Sequence, residues 1–76
     1  MKKGGKMTFG EKMKEIRKAK GISLQKLSEK SNLSVLALWN CEHGKSLPTV
    51  VTISKIANAL DYDYEELYDL VQKERN

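Results

Sequence analysis

The sequence predicts an all-α fold, a compact bundle of five short helices, on three observations. Apolar residues recur at spacings of three and four in successive windows, the pattern of helices packed on one side. A Ser, Thr or Asp stands at the head of each window, where its side-chain oxygen can accept from the free amides of an opening turn. No window alternates apolar and polar residues as a half-buried strand does, and no internal repeat or low-complexity tract breaks the pattern.

Residues 1–7, with Gly4 and Gly5 among lysines and no apolar periodicity, predict a flexible basic arm; residues 8–76 predict a single domain. Thr8-Phe9-Gly10-Glu11 is a capping box that opens a helix running to about Lys20, with Phe9, Met13 and Ile16 as its buried stripe. Arg17 stands at the border of that stripe, where a charge usually has a partner. Gly21 can take the positive φ that ends a helix.

Ser23 caps a second helix, whose Leu24, Leu27, Ser28 and Ser31 share a face, and Ser34 caps a third. Only Asn32 and Leu33 separate the two, and Asn tolerates the left-handed conformation so sharp a corner needs. Residues 21–44 therefore carry the grammar of a helix-turn-helix. In the third helix Leu38 and Cys41, with Ala37 beside them, are expected inward, leaving Val35, Leu36, Trp39, Asn40 and His43 outward. A loop with Gly44 and Pro48 follows. Thr49 caps a fourth helix, with a stripe of Val50, Ile53, Ile56, Ala57 and Leu60. Asp63-Tyr64-Glu65-Glu66 is a second capping box for an extended fifth helix, which places Tyr64, Leu67, Tyr68 and Val71 on one face, a candidate homodimer contact.

A chain of 76 residues buries only about 60% of its unfolded surface, so no large pocket is expected. The lone Cys41 excludes an internal disulfide framework, and no segment has the length and apolarity to span a bilayer, which predicts a cytoplasmic protein without membrane contact. Charge is unevenly spread. Residues 1–30 hold ten Lys/Arg against three Glu, while residues 61–76 hold two against six Asp/Glu. A basic amino-terminal part suits a polyanion, because neutralising phosphates releases counterions.

The run Gly10…Met13…Ile16-Arg17…Gly21-Ile22-Ser23…Leu27…Leu33-Ser34…Leu38…Glu42-His43-Gly44-Lys45…Pro48…Ile56-Ala57…Leu60…Leu67 resembles the XRE or Cro/CI-type helix-turn-helix family, the lambda-repressor-like fold. The resemblance spans residues 9–68. It implies a transcriptional regulator of repressor type that binds double-stranded operator DNA as a two-fold dimer, with the helix Ser34–Glu42 in the major groove. It also implies a structural ion pair between Arg17 and Glu42.

On that reading Val35, Leu36, Trp39 and Asn40 face the bases, and Ser23, Gln25, Lys26, Ser34, His43, Lys45, Ser46 and Thr49, at helix starts and around the third helix, face phosphates. The reading surface departs from the family habit. Asn40 can pair bidentately with adenine, whereas Val35 and Leu36 can only touch thymine methyls. The alternative is a degenerate helix-turn-helix turned to protein binding, an antirepressor or adaptor that holds a regulatory partner through Val35, Leu36 and Trp39. An enzyme is not expected, nor is a metal or small-molecule cofactor. Cys41 and His43 do not share a helix face, the acidic residues 61–69 lack the spacing of a calcium loop, and no phosphate loop or nucleophile elbow is present.

Overall fold

A computed structural model describes residues 7–75; residues 1–6 and Asn76, and with them most of the expected arm, lie outside the described residues. Five helices follow one another: α1 (Phe9–Ala19), α2 (Leu24–Ser31), α3 (Val35–Glu42), α4 (Val50–Leu60) and α5 (Tyr64–Arg75). No strand occurs among the described residues. None of these helices is long and apolar enough to cross a membrane.

Each start is set by a side chain the sequence supplies. The Thr8 hydroxyl accepts from the Glu11 amide while the Glu11 carboxylate accepts from the Thr8 amide, both at 3.1 Å. Ser23, Ser34 and Thr49 accept from the amides of Lys26, Ala37 and Thr52. α5 differs from the expected box. Asp63 accepts from the Glu66 amide at 3.0 Å, but the Glu66 carboxylate accepts from the Tyr62 hydroxyl at 2.8 Å instead of returning to the Asp63 amide. A phenol one residue upstream is a stronger donor than a backbone amide still open to water, so the box closes only on one side.

The helix ends are equally local. Gly21 sits at φ +68° after α1, and Asn32 closes α2 at φ 63° and ψ 31°. The Ser28 hydroxyl donates to the Leu33 carbonyl at 2.5 Å and so ties α2 to the corner. Asp61 closes α4 in the same left-handed region at φ 54°.

α1 packs against α3 and α5, and α4 against α2 and α5. Between them lie Phe9, Met13, Leu27, Leu38, Ile53, Ile56, Leu60, Leu67 and Val71, all of them essentially sealed from water. Three expectations are corrected here. Val50 is 56% exposed, because the first turn of α4 stands clear of its neighbours and the stripe begins at Ile53. Ala37 is exposed, since two turns of α3 bury only Leu38, Cys41 and Glu42. Leu67 and Val71 fill the protomer's own core and cannot belong to a dimer face; Tyr64 and Tyr68 remain half-buried, with rings stacked 5.8 Å apart.

Candidate nucleic-acid interface

The geometry of α3 is governed by α1. The Arg17 Nε donates to Glu42 Oε2 at 2.7 Å and Nη2 to Oε1 at 3.0 Å, a bidentate pair, while Nη1 donates to the Ile22 carbonyl at 2.8 Å. One guanidinium thus joins α1, the connection to α2 and the last turn of α3. Both side chains are withdrawn from solvent, 11% and 2% exposed. Such a pair is tolerated because every charge-bearing atom has a partner, and the planar fork fixes orientation as well as distance.

Gly10 sets how closely the two helices approach. A Cβ at this position would meet the Cys41 and Glu42 carbonyl oxygens at 2.5 Å each. The amino end of α1 therefore rests directly on the carboxyl end of α3, and the contact is backbone to backbone. The consequence is that α3 is held at its base while its outer face is left open.

On that outer face Val35 and Trp39 are each 39% exposed and Leu36 is 68% exposed. Asn40 is half-buried beside them, and its amide makes no hydrogen bond among the described residues. Trp39 keeps a substantial part of its surface in solvent. Its indole stacks on His43, one turn along, with ring centroids 3.9 Å apart and planes inclined by 17°. The His43 Nδ1 lies 2.9 Å from the Trp39 carbonyl oxygen. That oxygen can only accept, so Nδ1 is the donor where the two are hydrogen-bonded. His43 therefore acts first as a brace for Trp39. The spacing of four residues on one helix was the signal for this pairing in the sequence.

The residues expected at phosphates frame α3 on two sides. Ser23, Gln25 and Lys26 occupy the exposed start of α2, Ser34 the start of α3, and Lys45, Ser46 and Thr49 the loop after it. Ser23 and Ser34 accept backbone bonds through their oxygens and keep a hydroxyl hydrogen to donate. Thr49 spends its hydrogen on Thr52 at 3.2 Å, and Ser46 lies close enough to Cys41 to lower its thiol pKa against the larger rise from burial. These two are thus partly engaged within the fold. The Lys45 amide donates to the Asn40 carbonyl at 2.8 Å, which anchors the loop beneath α3 and leaves the lysine side chain outside.

The basic character of the amino-terminal part is not all available. Lys12 turns towards α5, with Nζ 3.8 Å from Glu66, 3.4 Å from Glu15 and 5.7 Å from the centre of the Tyr62 ring. Burial alone would lower the Lys12 pKa, but Tyr62 and Glu15 outweigh it and the net shift is upward. Lys14, Lys18, Lys20, Lys26 and Lys30 remain exposed. Burial pushes the Cys41 thiol up, with Ser46 offsetting part of the effect, so Cys41 is a core residue with little thiolate character. No cluster of three or more His, Cys, Asp or Glu residues is placed to hold a metal ion among the described residues.

Comparison with known proteins points the same way. The helix-turn-helix family model HTH_3 matches residues 13–67. The solved structure of the restriction-modification controller protein C.AhdI from Aeromonas hydrophila is 37% identical over 78% of this chain and 89% of its own, with a TM-score of 0.75. The structure of SinR, the master regulator for biofilm formation, in complex with DNA is 29% identical over 80% of this chain and 98% of its own, with a TM-score of 0.76. The N-terminal DNA-binding domain of SinR from Bacillus subtilis is 30% identical over 79% of this chain and 88% of its own, with a TM-score of 0.74. No curated protein sequence matches the chain.

Proposed function

Because the chain belongs to the HTH_3 helix-turn-helix family, of XRE or Cro/CI type, we propose that it binds double-stranded DNA as a transcriptional regulator of repressor type. The observation that carries this is the exposed outer face of α3, held out from the bundle by the Arg17–Glu42 pair and flanked on both sides by donors suited to phosphates. The kinship to a regulator solved in complex with DNA, matched over 98% of that chain, supports it. Binding alone accounts for such a surface, and no catalytic step is invoked.

In this reading two copies sit on a two-fold site with their α3 helices about 34 Å apart, one turn of DNA. Tyr64 and Tyr68 on α5 offer the remaining exposed edges for the contact between copies. Sedimentation of a concentrated sample should then give twice the monomer mass, and a monomer at every concentration would contradict the dimer.

The deciding experiment is selection of bound duplexes from random DNA. A recurring palindrome is expected. With that duplex, Asn40→Ala should weaken specific binding roughly tenfold while random DNA is bound as before, since it removes one bidentate base contact. Lys45→Ala should weaken both alike and reduce the salt slope by about one. The exposed apolar residues Val35, Leu36 and Trp39 favour one rival, a protein-binding adaptor. Salt-independent failure to bind any duplex, together with loss of a protein partner on Trp39→Ala, would decide for that rival.

A further inference from the structure

We propose that α3 recognises its site chiefly through the C5-methyl groups of thymines in the major groove. This deepens the DNA-binding reading above and rests on it. The thymine methyl is the one methyl group that the four standard base pairs present in that groove; apart from the small C5–H edge of cytosine, what faces the helix there is donor and acceptor. Val35 and Leu36 have neither donor nor acceptor in their side chains, and Trp39 has a single N–H. With exposures of 39%, 68% and 39%, these three form the larger part of what α3 shows to solvent. A surface so composed gains little from guanine or cytosine edges, whose polar groups it would desolvate without pairing.

Two further observations select thymine within a duplex as the occupant. Asn40, at the edge of the strip, has a side-chain amide without an internal hydrogen bond among the described residues. Its donor and acceptor match N6 and N7 of adenine, the base opposite thymine. Two exposed lysines flank the strip: Lys26, whose ammonium lies 3.7 Å from Glu29 in an open surface pair that a phosphate can replace, and Lys45 in the loop that follows α3. That arrangement complements phosphates flanking a groove. The indole, moreover, is already immobilised. The stack on His43, itself bound to the Trp39 carbonyl, fixes the ring before contact and reduces the entropy lost on binding. Asn40 and the apolar strip therefore converge on A·T pairs by independent chemistry.

Deoxyuridine isolates the methyl, since it keeps every hydrogen-bonding group of thymidine. Starting from the selected duplex, each thymine is replaced singly and affinity is measured by fluorescence anisotropy. Binding should weaken about fourfold at each contacted methyl, the fold-change equivalent to ~0.8 kcal/mol for one buried carbon. Leu36→Ala, a change at an exposed position whose thermal melt should match that of the unaltered protein, should erase the uridine effect at one of those positions. A duplex with 5-methylcytosine paired to guanine at a sensitive position keeps the methyl without the adenine and should bind more tightly than the same duplex with unmethylated cytosine there; equal binding of those two would overturn the methyl contact. If the parent duplex binds tightly and every uridine duplex binds as tightly, the methyl proposal falls and the DNA-binding reading stands. If no duplex is bound, both fall.

Discussion

Glu42→Ala is expected to lower the stability of the domain by about 3–5 kcal/mol, the cost of leaving a buried charge without its partner. A domain of this size has in total on the order of 4–11 kcal/mol, so the variant should be largely unfolded well below the melting temperature of the unaltered protein. The reason is specific to the geometry. Arg17 has all three nitrogens committed, two to Glu42 and one to the Ile22 carbonyl, at a site with little solvent. Removing the carboxylate strands a guanidinium that cannot neutralise itself by losing a proton. Replacing both partners, as Arg17→Met with Glu42→Leu, should return most of the loss, because no charge then remains buried. Urea melts of the single and double variants check this. A Glu42→Ala midpoint equal to that of the unaltered protein would show that Arg17 relaxes into solvent and that the pair does not lock α1 to α3.

Gly10→Ala is expected to be destabilising by about 3 kcal/mol, the upper end of the usual cost of overpacking. Glycine to alanine inside a helix ordinarily stabilises by roughly 1 kcal/mol. Here the sign reverses, because the added methyl meets two backbone carbonyl oxygens of α3 at 2.5 Å and neither can swing aside as a side-chain tip would. Relief requires α3 to move away from α1, which also pulls Glu42 from Arg17. The variant should therefore lose stability and DNA affinity together. A thermal melt at or above that of the unaltered protein would mean that the helices separate without cost.

The corner at Asn32 and the three caps of α1, α2 and α3 were legible because each depends on one side chain and its own backbone. The kinship to helix-turn-helix regulators was legible for a related reason: the motif is a register of glycines, caps and buried positions, all visible in order. The facing of α3 was harder to read. Val35-Leu36-Ala37-Leu38-Trp39 is apolar on every side, so periodicity gives no preferred face and Ala37 was expected inward when it lies outside. The stack of Trp39 on His43 was open to inspection as a spacing of four, yet charge and phosphate contact suggested another use for His43.

What the sequence by itself determined, then, is the set of local decisions: where five helices begin, where four of them stop, and that two of them meet at a two-residue turn. These follow from hydrogen bonds closed within three or four residues, which need no knowledge of the rest of the chain. Only the tertiary structure decided which apolar residues are enclosed. Leu67 and Val71 enter the core and Tyr64 and Tyr68 stay at its edge, although all four share a helical stripe. Val50 is left in water by the overhang of α4, and Gly10 becomes indispensable through two carbonyls more than thirty residues away. Burial depends on which elements arrive from elsewhere in the chain, and a local pattern can rank candidates for the interior without knowing how many of them the neighbours will cover.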